Sequence, residues 1–325
     1  MNAVERPVQF ECEGEELIAI LSVPEHPVEL GVVVVVGGPQ YRAGSHRQFV
    51  YLARALAKVR IPCLRFDYRG MGDSDGSRRS FDSVGEDIAC AVRALTEHVP
   101  AVRRVVLWGL CDGASAALMA IGSLPNVGGL IALNPWTRSE TSLDRALVTH
   151  YYAQRFRSRD FWRKLLTGRL SIVRAVSEFA RRASSAVAGR FCSGSSNTAT
   201  RFQDRMCDGL TRSSKPAMIV LSGNDLTAQE YIAFVASDPR WTKALASPAV
   251  VTKHVSQADH TFSNETSRSE LERLCCDFVL SLRNADQSQG TTDLTQRPDT
   301  RETSMEELKT ASWSGTGARP NERNR

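Results

Sequence analysis

Nowhere in the 325 residues does an apolar run approach the roughly 20 residues that a membrane-spanning helix needs, which sets aside a membrane-span class. Met1 to Val8 carries Glu5 and Arg6 and has no apolar signal core, so export is not expected. Charge of one sign is scarce: a net charge of +5 is too mild for a general nucleic-acid binder. The eight cysteines (Cys12, Cys63, Cys90, Cys111, Cys192, Cys207, Cys275 and Cys276) contain neither a Cys-x-x-Cys pair nor zinc spacing. They read as free thiols of a cytoplasmic protein. There is no internal repeat and no phosphate-cradling glycine loop, so no metal or organic cofactor is implied. What is there is length enough for one large α/β domain with an insertion, and 42% hydrophobic residues to fill its core.

Val8 to Val23 alternates apolar and polar residues around Glu13-Gly14-Glu15, the pattern of an antiparallel hairpin. Val32–Val36 is an unbroken β-branched run, as in a parallel strand buried on both faces. Helical period follows over His46–Lys58, with Phe49, Leu52, Ala53 and Leu56 on one face. The alternation continues with a strand at Pro62–Asp67, a helix at Phe81–His98, a strand at Arg103–Trp108, a helix at Asp112–Ile121 and a strand at Val127–Leu133. After a gap it resumes with strands at Pro216–Leu221 and Ala249–Val255, a helix at Thr227–Val235 between them and a closing helix at Glu265–Leu282. Strands alternating with helices predict a mostly parallel, doubly wound sheet.

The gap divides the chain. Residues 1–137 and 213–283 form the two parts of the core, and residues 138–212 form an inserted helical cap. That cap is basic, with 13 Arg or Lys against four Asp or Glu from Arg155 to Arg212. Insertions at this point often serve as lids. Residues 284–325 are so poor in core formers that a disordered tail is expected.

Chemistry concentrates at Val105-Val106-Leu107-Trp108-Gly109-Leu110-Cys111-Asp112-Gly113-Ala114. A buried strand runs into Gly-x-Cys-x-Gly and then a small-residue helix, which resembles the nucleophile elbow of α/β-hydrolases with cysteine for serine. The same pattern also fits a structural cysteine at a tight turn, so partners must follow in the order nucleophile, acid, histidine. Asp225 lies just past a strand, where active-site groups of open α/β sheets gather, and could orient a histidine by accepting its Nδ1 proton. His260 lies on the loop after the last strand and could take the proton of Cys111 and return it to the leaving group. His254 falls within a strand; His46 and His150 precede the acid; Asp259 belongs to a tight loop. An oxyanion hole would draw one N–H from Asp112 and one from the loop after the first parallel strand. Pro39 has no N–H, leaving Gln40 as the choice over Gly38 and Tyr41.

Arg65-Phe66-Asp67-Tyr68-Arg69-Gly70-Met71-Gly72-Asp73-Ser74 resembles a loop common in α/β-hydrolases, with Arg69 and Asp73 read as pins for loops near the site. Roughly residues 8–283 resemble that superfamily. A narrower resemblance rests on Gly37-Gly38-Pro39-Gln40-Tyr41-Arg42-Ala43-Gly44-Ser45-His46-Arg47-Gln48-Phe49, the Arg65–Ser74 loop, Leu107-Trp108-Gly109-Leu110-Cys111-Asp112, Leu133-Asn134-Pro135-Trp136, His150-Tyr151-Tyr152 and Phe161-Trp162-Arg163-Lys164-Leu165-Leu166. These strings look like the exosortase A system-associated hydrolase 1 family. The resemblance implies a bacterial protein from loci for exopolysaccharide production and surface-protein sorting, acting on a small-molecule or glycan-linked acyl substrate and touching the exopolysaccharide machinery. Cysteine at the elbow also resembles dienelactone hydrolases, whose cap and first loop differ. The expected activity is cleavage of an ester or thioester by Cys111, His260 and Asp225, without metal or nucleic acid. An acyltransferase on the same residues and a catalytically idle assembly factor are the rivals.

Overall fold

The chain opens on two long strands, β1 (Ala3–Cys12) and β2 (Glu15–Pro24), paired antiparallel from Ala3↔Pro24 to Cys12↔Glu15. The computed structural model describes residues 3–38, 40–138 and 201–294. Within them follow β3 (Leu30–Val35), α1 (Gln48–Lys58), β4 (Cys63–Phe66), α2 (Gly85–His98), β5 (Arg104–Leu110), α3 (Asp112–Ala120) and β6 (Val127–Leu133). After the undescribed segment come α4 (Phe202–Ser213), β7 (Ala217–Ser222), α5 (Leu226–Ser237), α6 (Pro239–Leu245), β8 (Val250–Val255) and α7 (Glu265–Leu294).

The strands form one eight-stranded sheet in the order β1-β2-β4-β3-β5-β6-β7-β8. The hairpin joins it antiparallel at β4, and every pair from β4 to β8 is parallel. This is the α/β-hydrolase architecture expected, hairpin included. The β-branched run of β3 is buried at every position, because successive side chains feed two separate cores. Val33 and Val35 join α2, α3, α4, α5 and α6 on one face. Val32, Val34 and Val36 join α1 and α7 on the other. Trp108 of β5 anchors the second core, edge-on to Phe49 with ring centroids 5.4 Å apart.

Three expectations differ in detail. The helix foreseen from His46 begins at Gln48, because His46 and Arg47 take positive φ in a short turn. The helix α6 was not foreseen, although its start carries a local signal: Asp238 caps the N–H of Arg240 at 2.9 Å, with Pro239 in the first helical turn. The end of the expected cap, α4, contributes Met206, Cys207 and Leu210 to the core shared with α3, so its apolar stripe serves the sheet. The rest of that cap from 139 to 200, including Arg163 and Lys164, lies outside the described residues.

The chain divides into Met1–Arg283 and Asn284–Arg325. The second unit begins within α7, which runs to Leu294, beyond its expected end at Leu282. The remainder of the expected tail also lies outside the described residues. Among the described residues no helix is long and apolar enough to cross a membrane.

Candidate active site

A single residue separates β5 from α3, and it is Cys111, held at φ 59° and ψ −124°. Few residues other than glycine adopt such a backbone, and holding one there costs about 1–3 kcal/mol. Hydrogen bonds fix it: Cys111 N–H donates to Leu133 O at 2.9 Å, and its carbonyl accepts from Trp136 N–H at 3.2 Å and Ser115 N–H at 3.1 Å. The Ser115 hydroxyl donates to Trp136 O at 2.7 Å, tying the end of β6 to the elbow.

The two flanking glycines are there because chains meet around them. A Cβ on Gly109 would lie 2.5 Å from Gly113 O, and one on Gly113 would lie 2.5 Å from Val35 O. Gly113→Ala therefore drives backbone against backbone, with an expected loss of about 3 kcal/mol. In a domain this size that lowers Tm by roughly 6–12 °C. Thermal unfolding followed by circular dichroism checks it; an unchanged Tm would mean that the elbow yields freely.

The other expected partners converge. His260 Nδ1 lies 2.9 Å from Asp225 Oδ2, and the Cys111 side chain is near enough to the imidazole to help raise its pKa. Asp225 also caps α5, its carboxylate accepting from Thr227 N–H at 3.2 Å and Ala228 N–H at 3.1 Å. The His260 pKa is pushed up to about 10 from 6.5, by the hydrogen bond with Asp225 first and that with Cys111 second, while burial opposes. Imidazolium is thus favoured at neutral pH.

The competing groups stand apart from this contact. His254 is exposed on β8 and His46 is exposed on the first loop. Asp259 spends its carboxylate on its own loop, accepting from Thr261 N–H at 3.1 Å and from Ser263. His150 lies outside the described residues. Arg69 and Asp73 do pin loops: Arg69 pairs with Asp87 at 2.8 Å and with Glu13, and Asp73 takes Arg42 and the Tyr41 hydroxyl, each at 2.8 Å.

Of the two expected oxyanion donors, Gln40 has its N–H in a local turn, closing onto Gly37 O at 3.3 Å. The Asp112 carboxyl group gathers the N–H of Gly38 at 2.8 Å and of Gly113 at 3.0 Å. Burial pushes the Asp112 carboxyl up, and these N–H donors pull the other way. The side chain after the nucleophile therefore fastens the first loop to the elbow, which Gly-x-Cys-x-Gly does not encode.

In the sequence Asn134 stands out only as part of Leu133-Asn134-Pro135-Trp136, yet it joins the elements of the site. Buried at φ 43°, it accepts Ser222 N–H at 2.8 Å and donates to Ser222 Oγ at 2.9 Å and to His260 O at 3.3 Å. It thus links the ends of β6 and β7 to the histidine loop. Its one sequence signal is an asparagine just past a strand, a residue type that tolerates positive φ. Asn134→Ala leaves the Ser222 N–H buried without its partner, at a cost of about 2–3 kcal/mol. It should lower kcat about ten- to hundredfold by freeing His260; steady-state kinetics at a temperature where the variant stays folded would reveal a purely structural role as unchanged kcat.

The sequence model of the Alpha/beta hydrolase family matches residues 32–273. Comparison with curated proteins finds no match. Among solved structures, an esterase of Pyrococcus furiosus is similar at 16% identity and TM-score 0.58, covering 86% of this chain and 91% of that one. Est1E of Butyrivibrio proteoclasticus, with ferulic acid bound, is similar at 16% identity and TM-score 0.55, covering 85% and 99%. A dienelactone hydrolase of Anabaena variabilis is similar at 13% identity and TM-score 0.55, covering 86% and 99%. At these identities the likeness is one of fold.

Proposed function

The chain belongs to the alpha/beta hydrolase family, and from that premise we propose that it cleaves an ester or thioester with Cys111 as nucleophile, His260 as acid and base, and Asp225 as the group that orients His260. The observation that carries the reading is the pairing of His260 Nδ1 with Asp225 Oδ2 at 2.9 Å, with Cys111 close enough to the same imidazole to help raise its pKa. Each of the three side chains stands at or just beyond the carboxyl end of a different parallel strand.

The sulfur, its proton passed to His260, forms a bond to the acyl carbon, and the carbonyl π electrons move onto oxygen. That oxyanion is held by the N–H groups of Asp112 and Gln40, the latter giving up its turn contact with Gly37 for a full negative charge. Collapse of the intermediate breaks the bond to the leaving group, which takes the proton from His260 Nε2. Acylation removes the sulfur's contribution to the raised His260 pKa, so more of the imidazole left behind is in the neutral form that can accept a proton. It then accepts a proton from water as the water oxygen attacks the thioester. Expulsion of the Cys111 sulfur frees the acid and restores the starting state.

The narrower resemblance extends the proposal to an acyl group met in exopolysaccharide production, handled in the cytoplasm. Water is the acceptor in this reading. Transfer of the acyl group to a sugar would be recognised by acylated sugar replacing free acid among the products.

Mass spectrometry after brief exposure to an activated ester tests the nucleophile. The adduct is expected on the Cys111 peptide alone, because burial pushes the thiols of Cys63 and Cys276 up to about 12 and about 11 and raises Cys275 as well. Equal labelling of Cys275 or Cys276 overturns the assignment.

A further inference from the structure

Beside the elbow, a cavity of about 400 Å³ opens between the first loop and the glycine-rich loop that follows β4. Gly38 and Asp112, the residue after Cys111, line it, Tyr68 and Phe81 give it aromatic surface, and Arg78 and Arg79 bring two positive charges. Neither guanidinium forms an ion pair with any described residue. The Nε of Arg79 is buried and has no hydrogen-bond partner among the described residues. A buried, unsatisfied donor of a charged group costs more than a neutral one.

These arginines are fixed by their backbone. A Cβ on Gly70 would lie 2.3 Å from Arg78 N and 2.4 Å from Ser77 O, so the chain before Arg79 lies directly on Gly70. Gly70 N–H in turn donates to Asp75 O at 2.8 Å. The neighbouring Arg69 is buried against Asp87, with Nε 3.0 Å and an Nη 2.8 Å from its carboxylate. The stretch carrying the two guanidinium groups is thus packed on Gly70, whose neighbour Arg69 is itself fixed by Asp87. The one carboxyl group in the cavity, that of Asp112, is already bound by the N–H of Gly38 and of Gly113. Two arginines against one occupied carboxyl leave an excess of donors and of positive charge.

We propose that this cavity binds an anionic group of the substrate, a carboxylate or a phosphate, through Arg78 and Arg79, and so selects acyl substrates that carry negative charge close to the reacting carbonyl. The inference rests on the ester-cleavage reading for its location beside Cys111. A planar guanidinium suits either anion because it can offer parallel N–H groups to two oxygens.

Two experiments test it together. Isothermal titration of the full-chain Cys111→Ala protein with inorganic phosphate and, separately, with succinate should give binding that weakens about tenfold or more when Arg78→Gln and Arg79→Gln are added. The stronger of the two probes identifies the anion class. Arg79→Lys, which keeps the charge, should retain part of the affinity. Absence of binding at millimolar probe, or equal binding with and without the arginines, overturns the proposal. In parallel, the wild-type enzyme should prefer a hemisuccinate ester over a neutral butyrate ester of the same alcohol by about tenfold in kcat/KM. The double arginine variant should erase that preference while leaving turnover of the butyrate ester within about twofold. Equal loss on both esters, or no preference in the wild type, also overturns it. Failure of the wild type to cleave any ester would count against the catalytic reading, and the titrations would still decide the anion site.

Discussion

Asp225→Asn should lower kcat by about three to four orders of magnitude, and the reason lies in how many donors its carboxylate satisfies. One oxygen accepts from Thr227 N–H, and the other accepts from Ala228 N–H and faces His260 Nδ1. An amide has one accepting oxygen. Turned toward Ala228 and His260, it sets its NH₂ against the Thr227 N–H. Turned the other way, it donates to Nδ1 and forces the proton onto Nε2, the wrong tautomer for taking a proton from Cys111. The variant therefore loses either the helix cap, worth about 1 kcal/mol, or the histidine.

The same residue sets a pH dependence whose sign can be worked out. The folded pKa of His260 is raised from 6.5 to about 10, with Asp225 the largest cause. A raised pKa means that the folded state holds the proton more tightly than the unfolded chain. The stabilisation is complete below about pH 6.5 and disappears as pH climbs through 10. Wild-type Tm should fall across that window, whereas Asp225→Asn should show a much flatter profile there. NMR titration of the His260 ring should place the wild-type pKa near 10 and the variant closer to 6.5. Coincident titrations for the two proteins would refute the assigned cause.

Cys111→Ala should abolish the acyl adduct and reduce kcat by about three orders of magnitude or more. Cys111→Gly should be as inactive, yet more stable than Cys111→Ala by about 1–2 kcal/mol, because only glycine occupies φ 59° and ψ −124° without strain. The comparison isolates the backbone term, since both variants lose the contact with His260. For a domain of this size the difference is a few degrees in Tm. Equal melting temperatures for the two would show that the elbow conformation carries little strain.

The elbow was legible because its constraints are local. Gly109, Cys111 and Gly113 sit within one turn, and the strand before and helix after them have opposite periodicities. The order of Asp225 and His260 along the chain was legible for a related reason, since each follows a recognisable strand. Contacts between distant segments left no such trace. The grip of Asp112 on Gly38 spans 74 residues and that of Asn134 on His260 spans 126. Neither produces a period or a spacing. The missing N–H of Pro39 is plain in the sequence, whereas the turn that draws the Gln40 N–H to Gly37 leaves no mark there. The absence of any strand pattern over 138–212 puts α4 with the cap, and only the packing of Met206, Cys207 and Leu210 shows that it belongs to the core.

The strand order carries a consequence for how the molecule forms. Since β3 lies between β4 and β5, and β8 is reached only through β6 and β7, the sheet cannot grow outward from one hairpin in chain order. His260 and Asp225 are 35 residues apart, but Cys111 follows β5, which pairs with β3, whereas His260 follows β8 at the far edge of the sheet. Closing such distant pairings is entropically slow, and parallel sheets reward it late. Two populations should therefore be separable during refolding: one with β3, β4 and β5 docked, whose cysteine has no histidine beside it, and one with the whole sheet. Regain of ester cleavage would then mark the docking of β8, the farthest strand in the sheet from the hairpin where the chain begins.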